Sequence, residues 1–187
     1  YGLALDANRS EVRFSGLEDF STWDPLDVFQ RNDLADKWLA MIVVHKEIWL
    51  FGSQTSSVYY NSGDADIPFI PNPSVSIARG TIAPISVGLL NGSPIWLADD
   101  LTVRYAQGYT PQRVSTHAVE YAIAQMSTVF DAWCSVYQEQ GHTFYVLNFP
   151  AADQTWVYDL ASGLWHERGV WNGLDFDVMN VTDCAAT

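Results

Sequence analysis

The chain is 187 residues long and carries 22 acidic against 9 basic side chains, for a formal net charge of −13. Hydrophobic residues make up 48% and charged ones 17%, which excludes intrinsic disorder, a state that needs low hydrophobicity with high charge. A pI near 4.3 argues against wrapping nucleic acid, since that takes a basic patch to displace counterions. The longest apolar run, Trp38 to Val44, is far too short to span a bilayer. The length suits one domain or two small ones. No basic n-region followed by an apolar h-region opens the chain, so no signal peptide is expected. Tyr1 in place of an initiating Met leads us to expect a fragment, a processed product or a trimmed chain.

In chain order, a short helix is one reading of Asp33 to Leu39. Glu47-Ile48-Trp49-Leu50-Phe51-Gly52 then reads as a strand, entered from a polar turn at Val44-His45-Lys46 and followed by Ser57-Val58-Tyr59-Tyr60. The same arrangement returns at Asn91-Gly92-Ser93, Pro94-Ile95-Trp96-Leu97-Ala98 and Leu101-Thr102-Val103-Arg104-Tyr105. It returns again at Gln140-Gly141-His142, Thr143-Phe144-Tyr145-Val146-Leu147 and Thr155-Trp156-Val157-Tyr158. Trp49, Trp96 and Tyr145 are 47 and 49 residues apart; Tyr59, Tyr105 and Tyr158 are 46 and 53 apart. A period of 45–50 residues with three or four short strands per unit is the signature of propeller blades, whose sheets cover one another's faces with large aromatics between them. Asn91-Gly92 is a strong two-residue hairpin signal. Between the second and third units, His117 to Met126 has Val119, Ala122, Ile123 and Met126 at helical spacing, with Ser115 and Thr116 placed to cap it. After Tyr158, the run Asp159-Leu160-Ala161-Ser162-Gly163-Leu164-Trp165 resembles the turn-then-Trp ending of a kelch-type blade.

The expected fold is therefore all-β, with antiparallel propeller-like blades and one short inserted helix. The expected organisation is a single propeller-like domain over 1–187, or a fragment of one with about three to four blades. The competing reading is a twisted meander or sandwich with an aromatic core. The residues expected to carry the blade motif are Trp49, Tyr59, Trp96, Tyr105, Tyr145, Trp156, Tyr158 and Trp165; they are packing positions, not catalytic ones.

Chemistry-bearing motifs are sparse. The sequence has no GxxxxGK phosphate loop and no GxSxG elbow, and no HxH or HExxH spacing joins its four histidines at 45, 117, 142 and 166. No cofactor or metal is expected. Cys134 and Cys184 lie far apart outside any CxxC pair, which reads as two free, mostly buried thiols. Asn-x-Ser/Thr sequons begin at Asn8, Asn91 and Asn180. Glu18 with Asp19, Asp64 with Asp66, and Asp99 with Asp100 are the carboxylate pairs a glycosidase would need, with Trp23 or Trp171 as sugar platforms. Each pair also sits where Asp closes turns on its own backbone. His166-Glu167-Arg168 reads as an edge salt-bridge cluster, because alternate strand residues face opposite sides.

Four blocks together carry a resemblance: Ser15-Gly16-Leu17-Glu18-Asp19-Phe20 with Trp23-Asp24; Ile48 to Gly52 with Tyr60-Asn61-Ser62-Gly63; Gln107 to Glu120; and Gly141 to Leu147 through Trp156-Val157-Tyr158-Asp159 to Trp165-His166-Glu167-Arg168. This combination resembles the packaged-DNA stabilisation, or head-completion, proteins of short-tailed bacteriophages. The resemblance implies a β-propeller-rich component that joins other tail or portal-side proteins, forms a homo-oligomeric ring, closes the particle and keeps DNA inside. It implies a location in the virion after synthesis in the bacterial cytoplasm. It implies no catalytic residue, no membrane and no sequence-specific nucleic-acid binding. Members of that family are longer than this chain, and Gly169 to Asp177 matches their pattern poorly; the end at Cys184-Ala185-Ala186 resembles the first strand of a further blade, so an incomplete propeller is expected. The alternatives are a carbohydrate-binding or glycoside-hydrolysing propeller and a kelch-like peptide-binding module.

Overall fold

A computed structural model describes residues 1–31, 36–64, 66–171, 173–174 and 176–178. The chain divides into two compact units, Tyr1–Thr81 and Ile82–Thr187. In the first, β1 (Leu3–Asp6), β2 (Glu11–Phe14) and β3 (Val28–Gln30) form a three-stranded sheet. β4 (Trp38–Val44), β5 (Glu47–Gly52), β6 (Ser56–Asn61) and β7 (Phe69–Pro71) follow as a four-stranded sheet in chain order. In the second unit, β8 (Gly88–Leu90), β9 (Ser93–Leu97), β10 (Val103–Gln107) and β11 (Thr110–Arg113) form one four-stranded sheet. The helix α1 (His117–Gln125) leads to another, built of β12 (Trp133–Glu139), β13 (His142–Phe149), β14 (Gln154–Asp159) and β15 (Leu164–Glu167). A hairpin of β16 (Gly169–Trp171) and β17 (Phe176–Val178) follows. Among the described residues every strand pairing is antiparallel between chain neighbours, the meander topology of a propeller blade.

The turn that opens each four-stranded sheet has one backbone solution. His45 and Lys46 have φ of 48° and 70°, Asn91 and Gly92 of 47° and 78°, and Gln140 and Gly141 of 49° and 85°. Positive φ at both central residues matches the right-handed twist of the flanking strands. The first turn achieves this without glycine, against the steric cost of a Cβ in the left-handed region. Lys46→Gly is therefore expected to stabilise the protein by about 0.5–1 kcal/mol, read as a higher urea midpoint; an unchanged or lower midpoint would contradict this reading of the turn.

The helix expected over Asp33 to Leu39 does not form across its described part. Trp38 and Leu39 open β4, which pairs with β5 from Trp38 opposite Gly52 to Val44 opposite Glu47, with a bulge between Trp38 and Ala40. The apolar, β-branched run through Ile42-Val43-Val44 favours a strand, and Trp38 is fully buried there. Residues 33–35 lie outside the described residues.

In the first unit the two sheets enclose Val12, Phe14, Phe29, Trp38, Ile48, Leu50, Tyr59 and Phe69. Phe29 is the hub of this cluster, with ring centroids 5.0 Å from Tyr59, 5.6 Å from Phe69 and 6.1 Å from Trp38. In the second unit Leu90, Ile95, Leu97 and Val103 of one sheet meet Tyr145, Leu147, Phe149 and Tyr158 of the other. α1 adds Val119 and Ile123; its N-cap is Thr116, whose hydroxyl accepts from Val119 N–H at 3.4 Å. Gly88 is required for this approach, since a Cβ there would lie 2.8 Å from Cys134 Sγ.

Candidate functional site

The motif aromatics fall on different faces of their sheets. Trp49 lies on the face of β5 opposite Ile48 and Leu50, stacked beside Phe51 at 6.3 Å. Trp96 is fully buried on the face of β9 opposite Ile95 and Leu97. Tyr145 points into the core of its unit, where its hydroxyl donates to Ser86 O at 2.7 Å. Counted from the opening turns, Trp96 and Tyr145 are the fourth residues after Gly92 and Gly141, whereas Trp49 is the third after Lys46. Leu50 is the fourth, and it is fully buried. A one-residue offset reverses the face of a strand residue, so spacing alone aligns Trp49 with the wrong partner. Tyr59, Tyr105 and Tyr158 sit opposite Ile48, Ile95 and Tyr145 in their sheets. Trp156 is packed against the core of the second unit with its indole Nε1 buried and without a hydrogen-bond partner. Trp165 lies 5.2 Å from the Tyr158 ring and donates from Nε1 to Val114 O at 2.8 Å.

In each carboxylate pair one member, Asp19, Asp64 or Asp100, closes its own loop. Asp19 accepts from the Ser21 N–H and hydroxyl and from the Thr22 hydroxyl; these donors, Ser21 foremost, hold its pKa down at about 2. Asp64 and Asp66 border one shallow depression with Ile67 and Ile70, but Asp64 Oδ1 already accepts from the N–H groups of Asp66 and Ile67. The Ile67 N–H, followed by that of Asp66, keeps the Asp64 carboxyl below its usual range. Burial pushes Asp100 up, yet hydrogen bonds from Thr102 and Arg104 outweigh it and leave the group lowered. A glycosidase acid needs a raised pKa; Asp19, Asp64 and Asp100 are all lowered. Trp23 is used within its loop, donating from Nε1 to Phe20 O at 2.9 Å, and Trp171 is exposed on β16.

At one end of the last sheet His142 Nδ1 is 2.7 Å from Asp159 Oδ2. Ser162 completes a suggestive trio, but its hydroxyl donates to that same Asp159 oxygen at 2.6 Å, so it does not stand at the far imidazole nitrogen as a nucleophile would. Hydrogen bonds from Ser162 first and then His142 hold the Asp159 pKa down at about 2. The salt-bridge cluster expected at His166-Glu167-Arg168 does not form. Arg168 instead lies over the Tyr137 ring at 5.2 Å and bonds the Tyr137 hydroxyl, while His166 meets the Phe144 ring edge-on at 6.4 Å. The reason is that β12 and β13 stack Tyr137 on Phe144 at 5.0 Å and offer Arg168 a flat π surface. Cys134 is a free, partly buried thiol whose pKa burial pushes up to about 12; Cys184 and the sequon at Asn180 lie outside the described residues. Among the described residues no three His, Cys, Asp or Glu side chains are grouped as metal ligands.

The group with the most donors was not evident in the sequence. Asp36, 8% exposed, accepts from the N–H and hydroxyl of Ser53, from Gln54 N–H and from the N–H and hydroxyl of Thr55, and pairs with Arg31 at 3.4 Å. Burial pushes its pKa up, but those bonds, Ser53 first, prevail and lower it. Its hydroxyl and backbone donors on Ser53, Gln54 and Thr55 lie 17–19 residues away, beyond any local motif.

These depressed carboxylates set the acid limb of stability. A group whose folded pKa lies below its unfolded value stabilises the fold above the ordinary carboxylate range and loses that contribution as pH falls toward the folded value. For Asp19 and Asp159 the window runs from the unperturbed 3.8 down to about 2. Protonation also relieves the −13 charge, which favours the compact state, but it removes acceptors from specific donors at several turns at once. The urea midpoint is expected to stay flat from neutral pH to about 5 and to fall below about 4; a midpoint that rises into acid would contradict it.

Stacked antiparallel meanders with aromatic interiors, and acids used as turn closers, make a scaffold. The family model described as "Bacteriophage P22 Gp10, beta-propeller" matches residues 4–183. The chain belongs to this family. No curated protein matches the chain. Membership in the P22 Gp10 β-propeller family makes it a structural phage protein of the packaged-DNA stabilisation class. The match takes in Gly169 to Asp177, the segment whose pattern looked poorest in sequence and which carries all of the β16–β17 hairpin but Val178.

Proposed function

We propose that this protein is a head-completion component of the virion that assembles with portal-side and other tail proteins, as a homo-oligomeric ring, and closes the portal channel to retain packaged DNA. The match to the P22 Gp10 β-propeller family over residues 4–183 carries the reading. Retention works by obstruction and not by neutralising phosphates. A chain with 22 acids and 9 bases gives a wall that repels DNA, so the duplex is held back without adhering and slides freely at ejection. The protein is made in the bacterial cytoplasm and resides at the head–tail connection. Its propeller-like blades over 1–187 serve as a rigid spacer, with Trp49, Tyr59, Trp96, Tyr105, Tyr145, Trp156, Tyr158 and Trp165 fixing them by packing.

The test is reconstitution. Purified protein present while heads that lack it are filled with DNA should raise the fraction of DNA retained and protected from nuclease after mild heating. No gain in protection with bound protein would overturn the closure mechanism.

A further inference from the structure

We infer that residues 15–27 form a docking knob whose partner is a virion protein presenting an apolar hollow rimmed by Lys and Arg. The inference rests on the assembly role proposed above and names the surface that performs it. This connection between β2 and β3 exposes Leu17 at 68%, Phe20 at 67%, Trp23 at 41% and Leu26 at 86%. Single exposed apolar residues are ordinary on a protein surface; four large ones within ten residues are the mark of an interaction site.

The loop is fixed before it docks. Phe14 N–H donates to Asp27 O at 3.0 Å and Gly16 N–H to Thr22 O at 3.2 Å, closing its base. Trp23 and Phe20 are tied by the indole hydrogen bond, and their rings lie so close to Gly2 that a Cβ there would sit 3.2 Å and 3.0 Å from them. A preorganised loop with rigid aromatics loses little entropy on binding.

Charge selects the partner. Glu18, Asp19, Asp24 and Asp27 are interleaved with the apolar residues, and no Lys or Arg occurs between Arg13 and Arg31. Asp19 is held ionised by its serine and threonine donors. A second copy of this −13 chain would meet the knob with like charge, and anionic lipid would repel it. A basic rim around an apolar hollow satisfies both features and speeds encounter.

The probe is a portal-bearing phage head assembled without this protein, titrated with fluorescently labelled wild type and with the Leu17→Ser, Phe20→Ser, Leu26→Ser triple variant. The expected result is wild-type binding that weakens with added salt, and roughly tenfold or greater loss in the triple variant at an unchanged melting midpoint. Should the triple variant melt early, Leu26→Ser alone, at the most exposed of the four positions, is expected to weaken binding about threefold. Equal binding by wild type and a folded variant overturns the docking knob while leaving the assembly role standing. Failure of the wild type to bind overturns both. A variant that binds heads normally but changes sedimentation of the free protein assigns the knob to a second copy and overturns the basic-rimmed partner.

Discussion

Asp36→Ala is expected to lower stability by about 3–5 kcal/mol, the range for removing one partner of a buried, hydrogen-bonded charge. The carboxylate accepts five hydrogen bonds from Ser53, Gln54 and Thr55 and faces Arg31, whose side chain is 2% exposed. Removal strips Arg31 of its carboxylate and the part-buried Thr55 N–H and hydroxyl of their acceptor, while the exposed Ser53 and Gln54 donors turn to water. Asp36→Asn keeps one acceptor oxygen and the volume, so roughly half the loss is expected. Urea unfolding of the two variants reads both values. A loss under about 1 kcal/mol for Asp36→Ala would mean that the turn holds itself.

Gly80→Ala is expected to cost about 3 kcal/mol or more, because the added Cβ meets backbone and not a movable side chain. It would overlap Gly52 O, Gln54 N and the Ser53 carbonyl carbon, on the same turn that Asp36 holds. The neighbouring Thr81 N–H donates to Gly52 O at 2.8 Å, so the two backbone segments cannot separate without losing that bond. Gly16→Ala is the control. Its Cβ would have only ordinary contacts to Asp19 at 3.7 Å and 3.8 Å, and a change within about 0.5 kcal/mol is expected. Equal midpoints for the two alanine variants would contradict the tight backbone approach at Gly80.

The blade period was legible because it rests on strong local signals: two-residue polar turns, alternating apolar strands and a capped helix at His117–Gln125. Those signals set the sheet topology and the inserted helix. They did not set which face each aromatic covers, since a single offset residue separates Trp49 from the position equivalent to Trp96 and Tyr145. Helical propensity at Asp33–Leu39 gave way to the pairing of Trp38 with Gly52, a contact 14 residues distant that no local window contains. Charge pattern at His166-Glu167-Arg168 suggested ion pairs, whereas cross-strand stacking of Tyr137 on Phe144 offered Arg168 a better site. The docking loop was visible as a motif, but only folding shows that its apolar residues stay exposed while its base is closed.

The closure mechanism is tested most directly by electron microscopy of phage particles assembled without this protein. Normal capsids with portals in place and heads emptied of DNA are expected. Full heads that remain stable in its absence would contradict it.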